Sequence, residues 1–389
     1  MAGAAIPLGA AWTSPFAKWG GTLAEVSSLE LAAAVTSAAL DARGLDPTGL
    51  DSLVLGWTVP QPDIFYGAPS LAAAIGAPGI AGPMVSQACA TSVLALRTAA
   101  REIESGGATS TLVVLTDRTS NGPLLVYPRP EAGGGAPATE HWVMDSFARD
   151  PGTGQSMLAT ADAVAREEGI ERAELDDVTV LRHSQYADRP VDFDHIVPVV
   201  IERRRSTIKL TEDEGVQHST PEGLGRLRPA APDGVHSFGN QTHPADGTAG
   251  AVVTSPKRAR ELSRNDGIVE LLGFGEARVG AARMPKAPVP AAHRALTTAG
   301  LTISDVDLVA SHNPFAVNDV YFAAQTGFPL DRMNIFGCSL VFGHPQAPTG
   351  MRSIVELVSA LQRRGGGVGL FTGCAAGDVG SAVVIRVGD

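Results

Sequence analysis

The sequence of 389 residues is poor in cysteine, in positive charge and in long apolar runs. Its three cysteines, none in a CxxC pair, are too few for a disulfide framework and lack the spacing of a structural zinc site. The net charge of −11 argues against nucleic acid and against an anionic membrane surface as partners. No stretch of 18 apolar residues occurs, so we expect no membrane-spanning helix.

The remaining composition indicates a folded α/β protein. The first 20 residues contain no basic segment followed by a long apolar run, so we expect no signal peptide and a cytoplasmic location. The length predicts two to three lobes or one large pseudo-symmetric body. Hydrophobic residues make up 44% of the chain, which is enough for a sizeable core, and 44 glycines with 27 prolines indicate many turns.

Helical and strand patterns alternate in both halves of the chain. The predicted helices cover residues 27–43, 91–105, 290–299 and 351–364, and the predicted strands cover 50–57, 111–116, 306–310 and 368–372. Gly44 aligns with Gly300 at an offset of 256, and Gly107 aligns with Gly366 at an offset of 259. Two nearly equal offsets favour a duplicated unit, although convergence within any α/β chain also produces short repeats.

Residues from about 120 to 248 differ in sequence pattern from the two halves, with strong turn signals at 131–138, 150–154 and 229–234. We find one clear helical pattern there, at about 156–169. The segment is interpreted as an insertion that covers the paired core.

Cys89 lies among small residues just before the apolar helix predicted at 91–105. Unpaired N–H groups and the helix dipole at such a position lower the cost of a thiolate, which is how a nucleophilic cysteine is prepared. The alternative is a small buried hydrophobic residue, the commonest environment of a free cysteine.

His344 lies between Gly343 and Pro345, just before the helix predicted at 351–364. That helix is the repeat partner of the helix after Cys89. The offset of 259 carries position 89 to 348, four residues beyond His344, so the repeat places the two loops in equivalent positions. A Cys–His pair at one site is the arrangement that nucleophilic catalysis needs, whereas a lone histidine is more often structural.

Two further loops follow predicted strands. Cys374 comes after the strand at 368–372, at the edge where such sheets bind ligands. His312 and Asn313 follow the strand at 306–310 and could hold a water or donate to an oxyanion. Packing alone is the alternative for both loops. Cys338 has no polar partner in the sequence and is interpreted as packing.

Taken in order, these motifs resemble the thiolase family of CoA-dependent acyltransferases. Residues 13–21 are similar to the opening TPFGKFGG, and 87–92 look like the nucleophile segment. Residues 227–230 and 238–242 resemble the LRPAF and AGNAS segments, and 343–345 match the GHP motif. Any one motif is weak, but the ordered set is specific and covers nearly the whole chain.

The resemblance implies a thiolase-like five-layered αβαβα fold, built from two pseudo-symmetric βαβαβαββ halves with an inserted loop domain. The implied division is a core half at 1–119 completed by 249–266, a loop domain at 120–248 on the CoA-binding side, and a second half at 267–389. A dimer would form by pairing of the strand at 111–116 across a two-fold axis.

By position in the family motifs, the resemblance implies a role for each catalytic residue. Cys89 is then the acylated nucleophile, and His344 is its base and part of an oxyanion hole. Cys374 is the acid/base at the α-carbon, and His312 is an oxyanion-hole residue that makes the motif resemble the HDxF variant of NEAF. The implied substrate-binding residues are Met157, Thr242, Asn313 and Phe315.

The resemblance further implies an acyl-CoA and CoA as substrates, no permanently bound cofactor, no metal, and a homodimer or homotetramer. The reaction is thiolysis of a 3-oxoacyl-CoA or the reverse Claisen condensation. Departures such as Ala375 and Ala376 in place of glycines put the substrate in doubt and leave room for an accessory subunit. The alternatives are a different condensing enzyme of the same fold and a thiolase-like subunit that needs a partner protein.

Overall fold

The computed structural model describes residues 3–120, 122–263 and 267–388. Within these ranges no helix is both long and apolar enough to cross a membrane. The elements that precede the insertion are β1 (Ala4–Pro7), β2 (Ala11–Thr13), β3 (Ala17–Lys18), α1 (Ser28–Arg43), β4 (Ser52–Gly56), α2 (Gly67–Ala74), β5 (Met84–Val85), α3 (Thr91–Ser105) and β6 (Ser110–Arg118).

In its described residues, the chain between β6 and the next core strand forms two small hairpins and four α-helices. These elements are β7 (Leu124–Tyr127), β8 (Ala138–His141), α4 (Trp142–Ala148), α5 (Met157–Glu168), α6 (Arg172–Ala187), β9 (Val199–Arg203), β10 (Ser206–Leu210) and α7 (Pro221–Gly225).

The remainder of the chain returns to the core. Its elements are β11 (Ala245–Thr254), α8 (Pro256–Leu262), β12 (Ile268–Arg278), α9 (Pro288–Ala299), β13 (Leu308–His312), α10 (Val317–Thr326), α11 (Ser339–Phe342), α12 (Ala347–Arg363), β14 (Gly367–Ala375) and β15 (Val379–Gly388).

The core strands follow the same order in both halves. The first half runs β5-β4-β6-β11-β1 and the second runs β13-β14-β15-β12, and the antiparallel pair β1–β12 joins them. β4 pairs in parallel with β5 and β6, and β13 pairs in parallel with β14. A parallel bridge from Val309 to Met333 takes the place of β5 in the second half. The duplicated unit predicted from the shared offset is therefore present.

Five layers result from this arrangement. α1 and α2 cover the outer face of the first half, α9 and α10 cover that of the second, and α3 and α12 lie between the two half-sheets. The central helices approach closely: Ser92 Oγ donates to Ala347 O at 2.5 Å and accepts from Met351 N at 2.8 Å. A Cβ at Gly350 would come within 2.9 Å of Ser92 Cβ, so only glycine fits at this crossing.

The predicted core helices and strands are confirmed, with ends that differ by a few residues. α1 begins after the N-cap Ser27, and both Gly44 and Gly300 end their helices in the left-handed conformation, with φ of 61° and 70°. The helix predicted from 351 begins four residues earlier, at Ala347, because Pro348 occupies a first-turn position where a missing N–H costs nothing.

The expectation of one clear helix in the insertion is wrong. α6 was missed because its sequence is polar overall, and its buried face includes Arg182, which pairs with Asp319 through a 2.8 Å contact. The predicted insertion of 120–248 also ends too late, because the core sheet resumes at Ala245. All ten residues of β11 are buried, although most have small side chains that do not indicate a strand. The predicted boundary at 266/267 borders residues 264–266, which lie outside the described ranges.

The strand at 111–116 is not available for pairing between subunits, which corrects the expectation drawn from the resemblance. It lies within β6, whose two edges are already paired with β11 and β4. The strand at the open edge of this half-sheet is β5.

Candidate active site

Loops from both halves meet in the space beside the two central helices. Cys89 lies between β5 and α3, and His344 lies between α11 and α12. Cys89 Sγ is 3.1 Å from His344 Nε2, although 255 residues separate them. His312, at the end of β13, places a ring nitrogen within 4.8 Å of both atoms. The backbone N–H of Ala376 also points to the Cys89 sulfur, so the loop after Cys374 reaches the same point.

Each of the two central loops bends through a non-glycine residue with positive φ. Ala88 has φ of 45°, and Gln346 has φ of 66°. The first bend is held by Thr91, whose hydroxyl donates to Ala88 O at 2.6 Å and accepts from Gln87 N at 2.9 Å. A positive φ at a non-glycine residue costs on the order of 1–3 kcal/mol and persists only where surrounding contacts enforce it. Strain of this kind is typical of functional loops.

Contacts on both sides fix the orientation of the His344 ring. Its Nδ1 is 2.6 Å from Thr349 Oγ1, and its face stacks on His312 with ring centroids 4.2 Å apart. Burial lowers the pKa of His344 well below its usual value, and His312 adds to this effect. His344 is therefore neutral near pH 7 and able to accept a proton.

The surroundings of the Cys89 thiol oppose the thiolate that its place before a helix favours. Burial raises its pKa to about 12, and this cost outweighs the backbone N–H groups of Ala376 and Cys89 that favour the anion. The resting pair is a neutral thiol beside a neutral imidazole. The proton must therefore move from Sγ to Nε2 as the sulfur attacks.

The second thiol, of Cys374, is buried at the end of β14. Its Sγ accepts a hydrogen bond from Asn318 Nδ2 at 3.4 Å. Burial raises the pKa of this thiol, and the neighbouring Cys89 raises it further. The group is thus protonated at rest, and the Asn318 amide and the backbone N–H of Cys374 are directed at its sulfur.

A buried carboxylate that the sequence did not reveal lies behind the pair. Asp117, at the end of β6, accepts from the backbone N–H groups of Thr58, Val59 and Ala347 at 2.8–2.9 Å. Burial raises the pKa of Asp117 to about 7. Its charge also contributes to the raised pKa of Cys89, so it links the loops of both halves.

The predicted substrate-binding residues fall into two groups. Met157 and Phe315 belong to the same apolar cluster as Cys374. Thr242 and Asn313 instead face the protein interior. Thr242 Oγ1 donates to Ser339 O at 2.6 Å, and Asn313 bonds to Ser339 and Asp319 through its side-chain amide. The structure gives these two residues a supporting position.

Three neighbours of the reacting groups escaped sequence reasoning. Gln346 accepts from the Cys89 thiol at 3.4 Å, Thr349 holds the His344 ring, and Asn318 donates to Cys374. Thr349 and Asn318 lie in the first turns of α12 and α10, where no spacing or composition distinguishes them from ordinary helix residues.

Family models cover nearly the whole chain. The model described as "Thiolase, N-terminal domain" matches residues 8–257, and that described as "Thiolase, C-terminal domain" matches residues 266–387. An acetyl-CoA acetyltransferase of Syntrophomonas wolfei is 28% identical over 96% of both chains. An acetyl-CoA acetyltransferase of Escherichia coli is 30% identical over 79% of both chains.

Solved structures show the same likeness in three dimensions. The Bacillus anthracis acetyl-CoA acetyltransferase superposes with a TM-score of 0.90 at 27% identity, over 100% of this chain and 99% of that one. Human mitochondrial 3-ketoacyl-CoA thiolase in complex with CoA gives a TM-score of 0.89 at 25% identity, over 99% and 98% of the two chains. The order of elements, the paired halves and both family models lead to one conclusion, that this chain belongs to the thiolase family.

Proposed function

We propose that this chain is a thiolase-type acyl-CoA acyltransferase in which Cys89 carries the acyl group. The contact of 3.1 Å between Cys89 Sγ and His344 Nε2 carries the proposal, because it joins a nucleophile to a neutral base. In the thiolytic direction the sulfur attacks the 3-oxo carbon of a 3-oxoacyl-CoA while its proton passes to His344. In the reverse direction the acyl-enzyme receives a carbon nucleophile in a Claisen condensation.

The backbone supports the acyl-transfer step. The N–H groups of Cys89 and Ala376 point to the sulfur, so they are placed to donate to the oxygen of a tetrahedral intermediate formed on it. Preorganised donors of this kind contribute roughly 3–4 kcal/mol each. Exchange of one thioester for another is nearly isoenergetic, so the enzyme stores the acyl group and CoA can leave.

Cys374 is assigned the proton transfer at the α-carbon. Its thiol gives a proton to the carbanion formed when the C2–C3 bond breaks, and it takes that proton back in the condensing direction. The stacked rings of His344 and His312 lie on the same side of Cys89, where they line the place of the enolate oxygen. The apolar cluster that contains Cys374, Phe315 and the neighbouring Met157 keeps water from the carbanion.

The substrates are an acyl-CoA and CoA. The relatives named acetyl-CoA acetyltransferase and 3-ketoacyl-CoA thiolase, and the human structure in complex with CoA, support this assignment. The chemistry needs only thiols, imidazoles and backbone donors of this chain, so the proposal includes no resident cofactor and no metal.

The proposal also covers organisation and location. The division into 1–119 with 249–266, 120–248, and 267–389 is kept as a functional division in which the inserted segment serves the CoA side. A homodimer, or a homotetramer built from it, is supported by the open edge of β5 and by the exposed side chains of Phe65, Tyr66 and Met84. A cytoplasmic location fits the three free cysteines, and an accessory subunit remains part of the proposal.

Intact-mass analysis tests the acyl-enzyme directly. Incubation with acetyl-CoA or a small set of acyl-CoA thioesters should add one acyl mass to the protein, and the adduct should map to Cys89. The C89S variant should show no thioester adduct, while C338S, which changes another buried cysteine, should acylate normally. An adduct that persists unchanged in C89S would remove Cys89 from the role of nucleophile.

A further inference from the structure

A buried amide lies directly beside the thiol of Cys374. Asn318 is the second residue of α10, and its Nδ2 is 3.4 Å from Cys374 Sγ. Its Oδ1 accepts from the backbone N–H of Phe315 at 3.2 Å, while its own backbone N–H donates to Phe315 O at 3.0 Å. Asn318 therefore closes the turn that leads into α10 with one end of its amide and reaches the sulfur with the other.

The contact with Phe315 fixes which end of the amide faces the sulfur. A backbone N–H only donates, so Asn318 must present its carbonyl oxygen to Phe315. The NH₂ group of Asn318 then faces Cys374. All three residues are buried, so a flipped amide would set two donors against each other and leave the N–H of Phe315 unsatisfied.

A second turn of the same form shows that the turn itself does not determine the partner of the NH₂ group. Asn240 Oδ1 accepts from Ser237 N at 2.8 Å, and Asn240 N donates to Ser237 O at 3.4 Å. Asn240 Nδ2 donates to the carboxylate of Asp176 at 2.8 Å. The turn needs only the amide oxygen, so the NH₂ group is available for an anion. At Asn318 the matching anion is the thiolate of Cys374.

We propose that Asn318 is a positioning residue that stabilises the Cys374 thiolate during proton transfer at the α-carbon of the substrate. This inference rests on the proposed function. When the C2–C3 bond of the 3-oxoacyl-CoA breaks, the S–H bond of Cys374 also breaks. The proton goes to C2, and the electron pair stays on the sulfur. The negative charge remains there until the thiol of the incoming CoA supplies a proton.

The surroundings of the sulfur give this donor its importance. Burial raises the pKa of the Cys374 thiol, and Cys89 and Asp319 raise it further, whereas the Asn318 amide and the backbone N–H of Cys374 lower it. A hydrogen bond to a charged acceptor is stronger than one to a neutral acceptor, above all away from water. Asn318 therefore stabilises the thiolate much more than the resting thiol, which lowers the barrier to proton transfer.

Two variants separate the donor from the turn. N318S and N318D both keep an oxygen that can accept from the Phe315 N–H, as serine and aspartate do in such turns. The serine hydroxyl is too short to span both contacts, and the aspartate has no N–H to donate. Proton transfer is measured as deuterium uptake at the α-carbon in D₂O, with acetyl-CoA or the acyl-CoA that acylates Cys89 fastest.

We expect deuterium uptake to fall roughly 10- to 100-fold in N318S, because a hydrogen bond to a charged group is lost. The fall should be larger in N318D, because a carboxylate repels the thiolate. Cys89 acylation and the KM for the acyl-CoA should stay within a fewfold, since the Cys89–His344 pair is unaltered. C338A is the control, because Cys338 is also a buried thiol beside an amide, Asn313 Nδ2 at 3.2 Å, and its loss should leave uptake unchanged.

The outcomes distinguish the inference from the proposed function. Uptake within a fewfold of the unaltered protein in both variants would overturn the role of Asn318. A parallel fall of acylation and uptake would also overturn it, because it would show that the residue serves only the structure of the turn. If the unaltered protein neither acylates Cys89 nor takes up deuterium, the proposed function fails, and this inference fails with it.

Discussion

The loop before α3 and the loop before α12 occupy equivalent positions in the two halves, yet they present different chemistry. Each leads into a central helix through a non-glycine residue with positive φ, Ala88 in one and Gln346 in the other. The first loop carries a thiol that is partly accessible, and the second carries a fully enclosed imidazole. A duplicated backbone thus supplies two sites, and the side chain at each determines whether it attacks or accepts a proton.

The largest effect should come from removing the imidazole of the second loop. H344A loses the base that lies 3.1 Å from Cys89 Sγ, and the raised pKa of the thiol leaves too little thiolate to compensate. We expect Cys89 acylation to slow by roughly 10³-fold or more. Rates of adduct formation by rapid quench and mass analysis measure this. An acylation rate within tenfold of the original would show that the two loops do not work as a pair.

The two thiols should separate the half-reactions. C374A keeps the Cys89–His344 pair and should acylate within a fewfold of the unaltered protein, whereas carbon–carbon bond formation should fall by roughly 10²–10⁴-fold. Adduct mass and 3-oxoacyl-CoA formation are measured on the same sample. Should both half-reactions survive, the acid/base assignment of Cys374 fails. C338A serves as the control for loss of a buried cysteine.

Asp117 joins the segment after β4 to the start of α12, and its raised pKa makes a pH prediction. The folded-state pKa of about 7 exceeds the reference value of 3.8, so the folded protein holds a proton that the unfolded chain releases. Stability from this group is therefore lost as pH rises from about 4 towards 7, by up to roughly 1.4 kcal/mol per pH unit. D117N lacks this titration.

Urea unfolding of both proteins at several pH values measures the difference. The free energy of unfolding of the unaltered protein, relative to that of D117N, should decline between about pH 5 and pH 7. A difference that stays constant or grows with pH would mean that Asp117 is ionised throughout, held by its backbone donors.

The smallest effect is expected from the backbone bend at Ala88, in the loop before α3. A88G replaces an alanine at φ of 45° with the residue that adopts this backbone freely, so the folded state should gain about 0.5–1 kcal/mol. A90G is the matched control, since Ala90 has φ of −85° and glycine there should destabilise the protein. The midpoints of denaturant unfolding of A88G, A90G and the unaltered protein measure both effects. If A88G proves less stable than the unaltered protein, the bend before α3 holds no strain.

The alternation of core elements was predictable because buried strands and amphipathic helices leave periodic apolar patterns, as in β6 and α1. The motif set around Cys89, His344 and Cys374 was also predictable, since its order along the chain is specific. α6 was not, because its buried face mixes apolar side chains such as Leu175 and Val178 with Arg182, whose charge is paired with Asp319. The start of β11 was hidden by small residues that read as a turn.

The candidate active site also contains features that the sequence predicted and features that it did not. Sequence order identified the nucleophile and its base, but it did not reveal the burial that raises the pKa of Cys89 against the backbone N–H groups that favour its anion. Asp117, Asn318 and Thr349 carry no local signal, since each acts through a partner that is distant in sequence or through a particular side-chain rotamer.

The sequence by itself determined the paired halves, the family and the residue types available for catalysis, because these depend on local pattern and on motif order. Only the tertiary structure decided in which direction the pKa values of Cys89, His344 and Asp117 shift and which neighbours hold each ring. Those properties arise from burial and from hydrogen-bond partners that folding alone brings together, such as Ser339 behind His312 and Ala376 beside Cys89.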